Sequence, residues 1–255
     1  MSAAIPTLTV IVLTKDSASF LRRCLASADW ADELLVYDSG SSDETLAIAA
    51  EFNAKVVVDE DWQGFGRQRQ KAQQQATSDW LFWLDSDEII SAELRDSIRE
   101  TLQEAQPDYA YRCARLTDYF GSFIRHGGWY PDWVVRLHDR QRYQYNDAQV
   151  HESISCDKEQ IRTLNGDLEH YTTESFSAYM AKSVRYADDW ARDRHARGKK
   201  VSVAGVLLRS GWMFIRKYLL QRGCLDGKHG LLLAVQSSHY TFNKYFALWI
   251  LNRRR

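Results

Sequence analysis

The chain has 255 residues, of which 45% are hydrophobic, 13% aromatic and 26% charged, with a formal net charge of −1. That composition excludes a disordered chain, a collagen-like repeat and a coiled-coil rod, and leaves room for one large domain or a core with an appendage. The near-neutral total hides an asymmetry: from Arg194 onward there are thirteen Lys and Arg against one acid, Asp226, a segment suited to an anionic partner.

The N-terminal stretch MSAAIPTLTVIVLTKD has no basic region ahead of its short apolar run, so it reads as a first strand, Leu8–Leu13, rather than a signal peptide. No stretch approaches the roughly 18 apolar residues of a spanning helix. A helix follows with Phe20, Leu21, Cys24, Leu25 and Ala28 on one stripe. Glu33–Tyr37 is a second strand, ending in Asp38-Ser-Gly-Ser-Ser-Asp43, where Ser42 or Asp43 caps a helix over Glu44–Phe52. Lys55–Val58 is a third strand. Gly64 and Gly66 lead into a Gln-rich helix, Arg67–Ala76, and Trp80–Leu84 is a fourth strand closed by Asp85-Ser-Asp87-Glu88. Strands alternating with helices at this spacing predict right-handed βαβ units and a mainly parallel sheet. Ligands bind such sheets beyond the strand carboxyl ends, where Thr14–Asp16, Asp38 and Asp85–Asp87 all fall. Cys24, Cys113, Cys156 and Cys224 are too dispersed for a zinc or redox pair, which favours a reducing, cytoplasmic compartment.

Asp85-x-Asp87 is the sharpest chemical signal. Two carboxylates at a strand end can converge on a hard cation, Mg²⁺ or Mn²⁺, whose remaining ligands come from water and substrate phosphates; Asp pairs also open ordinary turns. The segments TVIVLTKD, VYDSGSSDET, GFGRQRQKA and LFWLDSDE, in that order and spacing, resemble the nucleotide-binding half of the family 2 inverting glycosyltransferases, which have the GT-A fold. The likeness spans about residues 6–100. It continues through HGGWYPDWVVRLHDR and VHESI in a pattern similar to the bacterial lipopolysaccharide core β-1,4-glucosyltransferases, which transfer glucose from UDP-glucose to an inner-core heptose.

The resemblance implies a Rossmann-like α/β sheet flanked by helices, divided into a nucleotide-sugar half (1–100), an acceptor half (101–172) and a basic helical extension (173–255). It implies that Thr14, Asp16 and Asp38 hold the uridine, Asp38 accepting from the uracil N3–H. Arg69, or Lys71 beside it, approaches the diphosphate; the family often has Asn where this chain has Gln70. Asp85 and Asp87 bind the ribose and the metal–diphosphate, Asp87 being the better metal ligand, with His151 a third metal ligand or a diphosphate contact. Asp132 is the candidate base that deprotonates the acceptor, with Glu152 its rival. Arg136 pairs with a carboxylate or phosphate, and Trp129, Tyr130 and Trp133 either stack on a sugar or fill core.

The last third reads as helices: one with Phe176, Tyr179, Met180, Val184, Ala187 and Trp190 on a stripe, then Val203–Gln221 and Leu231–Leu251. Arg209, Arg216, Lys217 and Arg222 beside Trp212 and Phe214 suggest a surface lying on an anionic membrane face, here the inner face of the bacterial inner membrane, where a lipid A-linked acceptor meets the same charge. The alternatives for this segment are a helical cap that completes the core or a dimer contact; those for the whole chain are a haloacid-dehalogenase-like phosphatase, which also carries D-x-D after a strand, and a non-catalytic nucleotide-sugar-binding, membrane-associated protein. No nucleic-acid motif accompanies the charge.

Overall fold

The computed structural model describes residues 5–104, 106–148, 152–171 and 175–253. Its strands are β1 (Leu8–Thr14), β2 (Glu33–Asp38), β3 (Lys55–Val58), β4 (Trp80–Asp85), β5 (Glu88–Ile90), β6 (Ala110–Asp118), β7 (Asp132–Asp139) and β8 (Ile161–Tyr171). They form one sheet in the order β3-β2-β1-β4-β7-β6-β8-β5. β3, β2, β1 and β4 run parallel, as alternating strands and helices require. The rest of the sheet is built differently: β7 pairs antiparallel with β4 and β6, and β5 antiparallel with β8.

The chain divides into two compact units. One holds the residues up to Arg115 together with Asp132–His170; the other holds Leu116–Pro131 and the residues from Tyr171 onward. The excursion Leu116–Pro131 interrupts the segment read as the acceptor half and groups with the C-terminal helices.

In the first unit the helices are α1 (Ala18–Ala26), α2 (Thr45–Glu51), α3 (Phe65–Gln75) and α4 (Ala92–Gln103). β1, β2 and β4 are apolar at almost every position because both sheet faces are covered. Val10, Val12, Val36, Phe82 and Leu84 face a core with Leu21 and Leu25 of α1 and Leu94 and Ile98 of α4. Ile11, Leu35, Leu81 and Trp83, on the opposite face, pack with Ala72 and Ala76 and with Tyr143 and Tyr145. Each large side chain so buried contributes about 1.5–3 kcal/mol. The short β3 at the sheet edge leaves Val56 and Val58 exposed.

In the second unit the helices are α5 (Phe176–Ala196), α6 (Val203–Ile215) and α7 (Gly227–Arg253). Ser175 caps α5 and Ser202 caps α6, each accepting a backbone N–H from three residues on. The helix expected over Val203–Gln221 changes form after Ile215: Arg216–Leu220 is a π turn. The inner face of α5 also differs from expectation. Ala187 and Ala191 are buried, whereas Phe176 and Val184 are exposed. Gly230 lets α7 begin against the preceding turn, since a Cβ there would lie 1.8 Å from the Gly223 carbonyl oxygen.

Candidate active site

The register of the parallel strands sets the first polar group. Thr14 is opposite Asp38, and Leu13 is opposite Asp85, so three strand ends meet on one rim. Asp38 is fully buried. One of its oxygens accepts from the Thr14 hydroxyl at 2.8 Å and the Ser41 hydroxyl at 2.5 Å; the other accepts from the amides of Gly40 and Ser41 at 2.8 and 2.7 Å. Gly40 supplies the left-handed φ of +84° that this turn needs. With four donors on its two buried oxygens, the carboxylate expected to meet the uracil also builds this loop. Asp16 likewise turns to that loop, accepting from the Ser42 amide at 2.8 Å, which holds its carboxyl below the usual range.

Beside the rim lies a cavity of about 470 Å³ walled by Leu13, Thr14, Ser39, Trp62 and Phe65, with Arg69 and Asp85 also in its lining. The Trp62 and Phe65 rings meet edge to face at 4.8 Å and are both exposed. Lys15 joins the lining and donates to the Gly40 carbonyl. Ser39, Trp62 and Phe65 were not singled out in the sequence. Trp62 lies in the loop just ahead of α3 and Phe65 is the first residue of that helix, so the start of α3 carries both aromatics to the cavity.

α3 is tied to its surroundings by its glutamines. Gln68 donates to the Asp61 carbonyl at 3.2 Å, Gln70 to that of Tyr145 at 2.7 Å, and Gln73 to those of Arg140 and Tyr143, both at 2.7 Å. Gln70 thus serves as a loop tie. Lys71, considered for the diphosphate, pairs instead with Asp59 at 2.8 Å and Asp61 at 3.3 Å.

Arg69 and Arg136 clamp Asp85. Arg69 Nη2 lies 2.8 Å from Asp85 Oδ1, and Arg136 Nη2 lies 2.6 Å from Oδ2. Arg136 also donates to both oxygens of the fully buried Glu88 at 2.7 and 2.9 Å, and Glu88 accepts the Asp85 amide at 2.9 Å. The Arg69 guanidinium stands against the rings of Tyr145 and Trp83, at 4.9 and 5.2 Å. Burial alone would raise the Asp85 carboxyl, but the two guanidiniums outweigh it and hold the group well below the ordinary range. Glu88 is pushed up, first by burial and then by neighbouring Asp85, against the pull of Arg136. Both Asp85 oxygens are thus held by guanidiniums at the strand end where the sequence reading placed a ribose and metal–diphosphate contact. Arg69 Nη1 and Arg136 Nε are buried without a partner.

Beyond the clamp opens a second cavity of about 490 Å³, lined among others by Arg69, Asp85, Arg115, Trp133, Arg136 and Glu152. Arg136 therefore faces this cavity and not the one at the Thr14 rim. Glu152 Oε1 accepts from Arg69 Nε at 3.0 Å. Asp132, at the first position of β7, is half-exposed and accepts from Arg115 at 2.9 and 2.6 Å. Arg112 lies over the Trp133 ring at 4.4 Å. Trp129 belongs to the second unit, packed with Tyr119, Ile124 and Leu233, and Tyr130 carries Arg125 over its ring there. His151 lies outside the described residues.

Asp87, two residues past the end of β4, has a carboxylate oxygen 3.4 Å from Nε2 of His170. The β5–β8 pairing puts His170 opposite Glu88 and so next to Asp87. A carboxylate oxygen and an imidazole nitrogen at that separation suit adjacent positions on one divalent cation with bonds of about 2.1 Å, so this pair fits the group that the D-x-D pattern implies. Among the described residues no set of three such side chains converges. His170 has no sequence spacing to betray it; only strand pairing joins it to Asp87 across the chain.

The sequence model of glycosyl transferase family 2 matches residues 9–185. A protein of Rickettsia bellii called an uncharacterized glycosyltransferase is 28% identical over 252 residues, covering 94% of this chain and 84% of its own. The lipopolysaccharide core biosynthesis glycosyltransferase LpsC of Rhizobium meliloti is 25% identical over 245 residues, covering 92% and 89%. Among solved structures, S. aureus TarS 1-349 in complex with UDP superposes with a TM-score of 0.51 over 97% of this chain and 91% of that one, at 16% identity. That likeness establishes the GT-A fold.

Proposed function

Because the chain belongs to glycosyl transferase family 2, we propose that it transfers a hexose, glucose in the first instance, from a UDP-sugar to an inner-core heptose of lipopolysaccharide, inverting the anomeric carbon. The observation that carries this reading is the pair of cavities meeting at Arg69 and Asp85, one for a donor and one for an acceptor. The name of the Rhizobium meliloti relative supports the acceptor class.

In this reading the nucleoside occupies the Thr14–Ser39 cavity, with its base against Trp62 and Phe65. Base–aromatic stacking is worth about 1–3 kcal/mol. Asp87 and His170 would hold Mg²⁺ or Mn²⁺. A divalent cation, when bound, stabilises the charge that develops on departing UDP. Arg69, fixed by Asp85, Glu152 and two rings, adds a preorganised positive charge at the junction. The acceptor hydroxyl lies in the second cavity, where Glu152 takes its proton. Its oxygen forms the bond to the anomeric carbon as the bond to the β-phosphate oxygen breaks, and UDP leaves with that electron pair. Each carboxylate accepts from an arginine, and Glu152 is preferred to Asp132 because it lines the cavity. One displacement turns an α-linked donor into a β-linked product.

Family membership removes the ground for a dehalogenase-like phosphatase, in which the first Asp of D-x-D would attack; both oxygens of Asp85 are held by arginines. The test is UDP release from UDP-glucose with a heptose-bearing lipopolysaccharide core, with and without Mn²⁺. Cation-dependent release that Asp87→Ala abolishes is expected. Nucleotide binding without turnover on any core acceptor would point to a non-catalytic binding protein.

A further inference from the structure

The outward face of α6 and the π turn is apolar where the sequence suggested a basic face. Val206 and Ser210 are buried on the side toward α7, and the Ser210 carbonyl accepts from the Ser238 hydroxyl at 2.8 Å. Leu208, Trp212, Ile215 and Leu219 follow at spacings of four, three and four, one helical stripe, and all are exposed, Leu208 by 73% and Leu219 by 56%. Arg209 and Arg216 follow Leu208 and Ile215 directly and are exposed. Arg209 is anchored, its guanidinium over the Tyr245 ring at 5.0 Å and bonded to the Gly205 carbonyl at 3.1 Å.

We propose that this stripe inserts into one leaflet of an anionic lipid membrane, with α6 lying in the membrane plane and Arg209 and Arg216 on the headgroup phosphates. No helix among the described residues is long and apolar enough to cross a bilayer. An apolar stripe bordered by arginine is the pattern of a helix that lies in the interface, and guanidiniums are well shaped to grip phosphate. A second copy of the chain is a poorer occupant. The segment from Arg194 carries thirteen basic residues against Asp226, so pairing two copies through it would bring like charges together. The proposal concerns a surface of the second unit that shares no residue with the lining of either cavity, and it stands whether or not the transferase reading holds.

The test is co-sedimentation of the full-length protein with vesicles of phosphatidylcholine alone and of phosphatidylcholine mixed with phosphatidylglycerol. Binding about tenfold or more stronger to the anionic vesicles is expected, since each basic group at such a surface is worth about a factor of five. Leu208→Asp combined with Leu219→Asp should abolish it, and Arg209→Glu combined with Arg216→Glu should remove the preference for anionic lipid. Trp212 emission should shift to the blue on binding, a shift absent from Trp212→Phe. Far-UV dichroism and thermal melting identify variants that fail to fold, and the Trp212 shift, read on the native chain against this single exposed-site control, does not depend on them. Equal binding to both vesicles, binding unaltered by the leucine pair in a folded variant, or a dimer that the leucine pair dissociates would each overturn the proposal.

Discussion

Asp85 ends a buried strand between two arginines, and that position dictates what its neighbours do. Glu88 is fully buried, and its carboxylate oxygens are held by Arg136, with Arg115 at 3.6 Å. Arg136→Met would leave it buried beside another carboxylate. A loss of about 3–5 kcal/mol of unfolding free energy is expected, because removing one partner strands the other; chemical denaturation measures it, and Arg136→Met with Glu88→Leu should recover much of the loss. Glu152→Gln should lower kcat at least about a hundredfold, the usual range for a lost general base, while Asp132→Asn should change it by less than about tenfold. Two mild losses in steady-state assays would put the base elsewhere. Much of this residue chemistry was legible: Thr14, Arg69, Asp85 and Glu152 all reach the cavities. For Asp38, a carboxylate before Ser-Gly can organise a loop or meet a ligand, and the four donors on its oxygens, invisible in the sequence, show the loop role. His170 was invisible because strand register, not sequence distance, brings it to Asp87.

At the scale of elements, α3 links the two cavities. Its second residue, Gly66, donates to the Ala148 carbonyl at 3.1 Å, and a Cβ there would lie 2.2 Å from the Asn146 carbonyl oxygen. Backbone on the other side cannot yield, so Gly66→Ala should displace α3, and with it Arg69. A fall in melting temperature together with a rise in KM for the nucleotide sugar is expected; unchanged values for both would mean that the helix is not fixed there. The four parallel strands and their helices could be read because continuous apolar runs and 3.6-residue stripes are local signals. The antiparallel strands could not, since β7, which pairs with both β4 and β6, follows β6 only after the excursion Leu116–Pro131, and no short-range pattern marks that pairing. The stripe on α5 was half right for the same reason: period predicts a face, not which part of it is covered.

For the molecule as a whole, acid stability should report a buried histidine. His138 accepts from the Trp83 indole N–H at 2.9 Å and donates its other ring nitrogen to the Asp139 carbonyl at 2.9 Å, a neutral tautomer. Burial pushes its pKa down to about 4. In the unfolded chain it titrates near 6.5, so below that pH the unfolded state gains a proton that the native state refuses. Unfolding free energy should therefore fall as pH drops from about 6.5 to 4, with a contribution of about 3 kcal/mol from this group. His138→Gln, which retains an acceptor for Trp83, should flatten the dependence; an identical pH profile in the variant would refute the assignment.

The transferase reading rests on a nucleotide and an acceptor meeting across the Arg69–Asp85 clamp. A crystal structure with UDP and Mn²⁺ interrogates it most directly. Uracil density against Trp62 and Phe65, with the cation on Asp87 and His170, is the expected result. Nucleotide on the Glu152 side of the clamp, or a cation bound away from Asp87, would contradict it.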